Sequence, residues 1–309
     1  MMNRFPRPFS RRVAGRARFR PMLLGGFALM TLLSGCSALG AIDSLTPDDG
    51  YLVRVGVAYG DKPRQKLDVY RPEKSGPAAP VIIFFYGGGW RSGDRADYRF
   101  VGQAFASDGY VVVTPDYRLY PDVRFPGFVE DGAAAVVWTQ KNIAAEGGDP
   151  NRIILIGHSA GAHLVSMLHA DRRFLDEAGF RRPADGSSGL AATIGMAGPY
   201  NYTPQGRFRD ILNVAAAGRP VMPIPLVEGR EPPLLLLHGE SDSTVYVANT
   251  NALAEKTREK GGKADVRLYS LGHGPLVAAL AQPLRWLGPV HEDILSWLRD
   301  QGLGAARVN

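Results

Sequence analysis

The chain of 309 residues contains a single cysteine, Cys36. No intramolecular disulfide can form, so cysteine pairing says nothing of fold or compartment. Long apolar runs are also missing. The strongest, Pro21–Leu33, is shorter than the roughly 20 residues a membrane-spanning helix needs. No spacing of His, Asp or Glu matches a metal site. Beyond the glycines at 87–89, no glycine-rich loop announces a nucleotide, so no cofactor is expected. A basic face is absent too. The net charge of +6 comes from seven arginines in residues 1–35, which hold no Lys, Asp or Glu. Without those seven, 29 of the 36 basic residues are set against 30 acidic ones. They are scattered among the acids, which excludes a nucleic-acid footprint.

What is present is ordinary for a globular protein: 45% hydrophobic and 21% charged residues. The length allows one large domain or two small ones. The arginine-rich start, the short apolar run and the small residues after it read as a secretory signal. Leu33-Ser34-Gly35-Cys36 resembles the lipobox of bacterial lipoproteins. That resemblance implies cleavage before Cys36, a lipid on its thiol, and attachment to a membrane of the cell envelope. Ser37 in place of Asp implies the outer membrane of a Gram-negative host. An uncleaved anchor with an incidental cysteine is the rival reading. Residues 1–35 are thus expected to be a signal peptide, 36–50 a lipidated tether rich in turn formers, and 51–309 a catalytic domain.

After residue 50, strand and helix patterns alternate. Tyr51–Tyr59 and Gln65–Tyr70 alternate like half-buried strands. Val81–Phe85, Tyr110–Thr114, Arg152–Ile156 and Leu234–Leu237 are continuous apolar runs that suit strands covered on both faces. Ala191–Met196 and Asp265–Leu271 complete the set. Helical spacing occupies Tyr98–Ser107, Gly127–Ala145, Ala160–Ala170, Val245–Lys260 and Val290–Gln301. This order predicts an α/β fold with a mostly parallel sheet between helices. Asp171–Gly189 and Pro199–Pro233 read as loops and a small cap.

Gly157-His158-Ser159-Ala160-Gly161 sits between a buried strand and a helix. A serine hydroxyl is a weak nucleophile and must meet both a base and a carbonyl. A sharp strand-to-helix turn lifts Ser159 clear of the sheet. Small residues at 157 and 161 let the backbone pass, and the N–H of Ala160 can donate to a developing oxyanion. Tyr86-Gly87-Gly88-Gly89-Trp90 follows another strand, where glycines can aim N–H groups at one point without obstruction.

Together with Asp116-Tyr117-Arg118-Leu119 and Gly147–Ile153, these segments resemble the esterase and lipase branch of the α/β-hydrolases. Small carboxylesterases, kynurenine-formamidase-like and prenylcysteine-methylesterase-like hydrolases are the members in view. The resemblance covers roughly residues 60–300. It implies the α/β-hydrolase fold and adds Gly88 and Gly89 to Ala160 as oxyanion donors. Tyr86 stands where the family usually has His, a loop-supporting position. The chain order Ser159, Asp242, His273 is the family order. His273 is the expected base and Asp242 the residue that orients it, with Glu240 as rival acid. His158, His163, His169, His238 and His291 read as structural.

The resulting expectation is a serine carboxylesterase working through an acyl-serine on a small-molecule ester, with short-chain or aryl esters favoured by an open site. An arylformamidase or a peptidase would use the same three residues. A non-catalytic binding lipoprotein is the alternative from another class.

Overall fold

A computed structural model describes residues 38–74, 78–182 and 189–306. The expected signal peptide, Cys36 and Ser37 lie outside the described residues. The uninterrupted apolar runs form the middle of a sheet. They are β3 (Ala79–Phe85), β4 (Val111–Pro115), β5 (Gly148–His158) and β7 (Leu234–Gly239). Val111–Pro115 and Leu234–Gly239 are buried along their whole length. Such strands lack alternation because neither face meets water. β1 (Tyr51–Ala58), β2 (Lys66–Pro72), β6 (Leu190–Met196) and β8 (Ala264–Tyr269) complete eight strands. Their order is β1-β2-β4-β3-β5-β6-β7-β8. β2 runs antiparallel to both β1 and β4, and every other pairing is parallel.

The helices are α1 (Ala38–Ser44), α2 (Arg99–Ala106), α3 (Gly127–Asn142), α4 (Ala160–Ala170), α5 (Arg173–Glu177), α6 (Arg207–Ile211), α7 (Ala248–Glu259), α8 (His273–Ala278) and α9 (Val290–Asp300). All eleven residues of α4 are buried. A helix so largely apolar belongs inside the protein, and His163, Ser166 and His169 are buried with it. Gly132 on α3 makes that approach close, since a Cβ there would stand 2.6 Å from Leu164 of α4. Among the described residues, the stretch expected as loops and a small cap holds only the short α5 and α6 and a 3-10 turn at Ile224–Leu226. α8 is not announced by apolar spacing, and it starts at the expected base.

The structure departs from the expected tether. The compact unit begins at Ala38, not at Tyr51. α1 packs Leu39 and Ile42 against the core, and Thr46 is buried. Arg99 is the cause. Its guanidinium donates to Asp43 Oδ2 (3.1 Å), the Asp43 carbonyl (2.6 Å), the Thr46 carbonyl (3.2 Å) and Tyr51 Oη (3.0 Å). It also pairs with Asp48. Five acceptors spaced along residues 43–51 converge on one cation, which turn-former composition does not reveal. Arg99→Met is expected to lower stability by about 2–3 kcal/mol in urea unfolding. It should open residues 38–50 to limited proteolysis while any activity at Ser159 survives. Unchanged protease resistance would refute the clamp.

Candidate active site

β5 ends at His158 and α4 begins at Ala160, so Ser159 alone makes the turn. Its φ of +56° and ψ of −119° are costly for any residue with a Cβ. The surroundings impose them. The Ser159 N–H donates to the Met196 carbonyl of β6 at 2.8 Å. Two glycines make the turn sterically feasible. A Cβ on Gly157 would lie 2.3 Å from the Gly161 carbonyl oxygen. One on Gly161 would lie 2.1 Å from the carbonyl oxygen of Phe85 in β3.

The structure brings Ser159, Asp242 and His273 into one line. His273 Nε2 is 2.9 Å from Ser159 Oγ, and His273 Nδ1 is 2.7 Å from Asp242 Oδ2. A carboxylate only accepts, so Nδ1 carries the ring proton. Nε2 is then bare and accepts from the Ser159 hydroxyl. Asp242 comes from the loop after β7, and His273 caps the loop after β8 as the first residue of α8. Asp242 is buried, and its Oδ1 accepts from the N–H groups of Thr244 (2.8 Å) and Val245 (2.9 Å). Burial alone would raise its carboxyl. The Val245 N–H, the His273 ring and the Thr244 N–H outweigh it and hold the group below the usual carboxylate range. Glu240 is exposed, and its carboxylate meets Ser270 Oγ at 3.5 Å.

Ser159 opens on a cavity of about 370 Å³. Trp90, Pro199, Tyr202, Phe208 and Val245 give it apolar walls, and Thr244, Tyr246 and Asn249 add polar atoms. Gly89 and Ala160 also face it. Ala160 is the first residue of α4, where N–H groups have no partner within the helix. Gly88 sits one residue back from the wall. Its carbonyl accepts from Arg91 and Ser92 N–H, and its φ of +116° favours glycine. The cap contributes Pro199, Tyr202 and Phe208. These three wall residues carried no signal in the sequence, because their loop has no periodicity to place it over Ser159.

The BD-FAE family model matches residues 67–257. The chain belongs to the BD-FAE family. It is 30% identical over 297 residues to a probable isoprenylcysteine alpha-carbonyl methylesterase of Arabidopsis thaliana, covering 90% of this chain and 61% of that protein. It is 32% identical to esterase LipC of Mycobacterium tuberculosis, covering 72% of this chain and 60% of the relative. The chain thus spans about three fifths of the length of these relatives. Among solved structures it resembles esterase B from Lactobacillus rhamnosis. There the TM-score is 0.72 at 23% identity, with 89% of this chain and 91% of that one covered. A truncated carbohydrate esterase from gut microbiota superposes with a TM-score of 0.68 at 20% identity, over 83% and 98% of the two chains. Those likenesses establish the α/β-hydrolase fold.

In this BD-FAE chain Tyr86 supports the glycine loop through a buried polar hub. Its hydroxyl donates to Asp116 Oδ1 at 2.7 Å and accepts from Arg64 Nη2 at 2.7 Å. Its carbonyl accepts from Tyr117 Oη at 2.8 Å. The ring stacks on Tyr98 and Tyr117 at 5.5 and 4.9 Å. Burial pushes the phenol far up, so it stays a neutral donor. Asp116 also accepts from the Arg95 N–H and guanidinium, and Arg95 reaches on to Asp68. In this chain the glycine loop thus rests on a tyrosine backed by a buried carboxylate.

The other histidines are tied into the structure. His238 has Nε2 at 2.8 Å from the Val245 carbonyl and Nδ1 at 2.7 Å from Thr250 Oγ1, bracing the loop that carries Asp242. His163 reaches the Val221 carbonyl at 2.8 Å, and His169 meets Thr193 Oγ1 at 3.1 Å. His291 is the second residue of α9 and stands 3.1 Å from Asp108. Burial pulls His158 down from 6.5 to about 3, and His163 and His169 to about 4. Folded, these rings stay neutral; unfolded, they take up protons below their ordinary pKa. Stability should therefore be full above pH 6.5 and fall as the pH drops towards 4. The expected loss is about 1.4 kcal/mol per ring per pH unit. Unfolding midpoints in urea from pH 7.5 to 4.5 check this, and His169→Asn should fall less steeply than wild type.

Proposed function

We propose that this chain is a serine carboxylesterase that hydrolyses short-chain or aryl esters. The observation that carries the reading is the unbroken line from Asp242 through His273 to Ser159 Oγ, at 2.7 and 2.9 Å, on the wall of the cavity. In this role His273 Nε2 takes the hydroxyl proton as Oγ attacks the ester carbonyl. N–H groups of Ala160 and the glycine loop receive the oxyanion. Asp242 remains ionised and stabilises the imidazolium. The imidazolium then protonates the departing alcohol, leaving an acyl-serine. Water, deprotonated by His273, attacks that acyl group and returns Ser159 and a carboxylic acid. A cavity of about 370 Å³ with aromatic walls suits a small acyl or aryl group.

Hydrolysis of p-nitrophenyl acetate, butyrate and decanoate by the protein from Ser37 onward tests the reading, beside an aryl formamide and an amino-acid p-nitroanilide. Acetate and butyrate should be cleaved fastest. Ser159→Ala should lower kcat on the order of 10³-fold or more. Ester cleavage that persists in Ser159→Ala would remove Ser159 as nucleophile. Cleavage confined to the formamide or the anilide would move the reading to a formamidase or a peptidase.

We also propose that the mature protein is exported and held to the cell envelope by a lipid on Cys36. The seven arginines, the short apolar run and the Leu-Ser-Gly-Cys tetrad support this. Cells grown with labelled palmitate should yield labelled wild-type protein and unlabelled Cys36→Ser. Label retained in Cys36→Ser would defeat it.

A further inference from the structure

His158 stands immediately before Ser159, and its side chain has no part in the chemistry just described. The residue is buried, 5% exposed, at the end of β5. Its ring lies against the His273 ring, with centroids 4.8 Å apart and planes at 43°. Its Nε2 is 3.1 Å from the backbone carbonyl oxygen of His273. A carbonyl only accepts, so Nε2 carries the proton and donates. Nδ1 is then the bare nitrogen, and it is buried without a partner. The glycine loop closes the other side. A Cβ on Gly87 would lie 2.9 Å from Ser159 Cβ and 3.1 Å from His158 Nδ1.

One side chain therefore touches the glycine loop, the nucleophile turn and the base. The side-chain bonds of His273, one at each ring nitrogen, fix the ring but not the backbone that carries it. Its backbone opens α8, where the Leu276 N–H donates to the Gly272 carbonyl at 3.2 Å and the Ser241 N–H to the Leu271 carbonyl at 3.0 Å, and neither bond reaches β5. The bond from His158 ties the backbone of the base to the very strand that carries the nucleophile, so the two shift together. The donor must also be uncharged, because a cation packed on the imidazole would oppose the imidazolium formed during attack. Burial keeps His158 neutral down to about pH 3.

We propose that His158 is a positioning residue that holds His273 in register with Ser159, through its Nε2–H bond to the His273 carbonyl and its packing on the His273 ring. The proposal rests on the serine-esterase reading above. It concerns reach between two groups, so its loss should appear in kcat and not in KM. A misplacement of about 1 Å costs on the order of 100-fold in rate.

The test uses the protein from Ser37 onward with p-nitrophenyl butyrate. His158→Leu should lower kcat about 100-fold while KM stays within about twofold. His158→Gln, whose amide can place an N–H where Nε2 stood, should recover most of that loss. Wild-type kcat in His158→Leu overturns the proposal. So does a loss carried by KM, or a His158→Gln variant as slow as His158→Leu. Should His158→Leu not fold, His158→Asn takes its place, since its amide ends short of the carbonyl. Rates of Ser159 labelling by a fluorophosphonate are read on the same variants. Labelling needs the Ser–His pair but no ester. A wild type that labels without hydrolysing esters sinks the esterase reading alone, and the labelling rates then decide the role of His158 in the same directions.

Discussion

The closeness of α4 to β3 at Gly161 is the constraint on which the site depends. With hydrogen in place of a side chain, the first turn of α4 comes against the carbonyls of Phe85 and Tyr86, where any Cβ would collide. That contact fixes where α4 starts and leaves a single residue to reverse the chain after β5. The strain at Ser159 follows from it. A residue in that conformation persists only when its neighbours over-determine it. Here the neighbours are two glycines, a bond to β6 and an entirely buried helix. Oγ is thereby held at the edge of the sheet before any partner arrives.

Two buried carboxylates organise what surrounds that point. Asp116 gathers Tyr86, Arg64 and Arg95 beneath the glycine loop. Asp242 gathers two backbone N–H groups and the His273 ring. A buried charge is tolerated when its lone pairs are met, and each such set fixes the geometry of the loop that supplies it. His238 adds a second support under Asp242, and it does so neutral, because burial lowers its pKa. The glycine loop and the base loop are thus held separately from below. His158 lies between them.

Much of this was legible in the residues. The buried strands announced themselves as apolar runs because a sheet covered on both faces leaves no place for alternation. The three residues in line were legible from the loops that follow β5, β7 and β8 and from their order along the chain. Tyr86 was legible as a substitution, but not its consequence, since Arg64 and Asp116 are distant in sequence. The docking of residues 38–50 was hidden for the same reason. Turn formers describe local backbone preference, whereas the acceptors that Arg99 collects become one site only after α2 has packed on the sheet.

The sequence by itself determined the order of strands and helices, the glycines that permit a strained serine, and which side chains could act as nucleophile, base and acid. These follow from local sterics and from the solvent preference of each residue. Tertiary structure decided the distances at which His273 meets Ser159 and Asp242 meets His273, left the rival Glu240 exposed, and made a cap without periodicity an aromatic wall. Those outcomes depend on distances of about 3 Å between residues some 30 to 115 positions apart. Such distances are set by how the β-strands stack side by side, which no local pattern encodes.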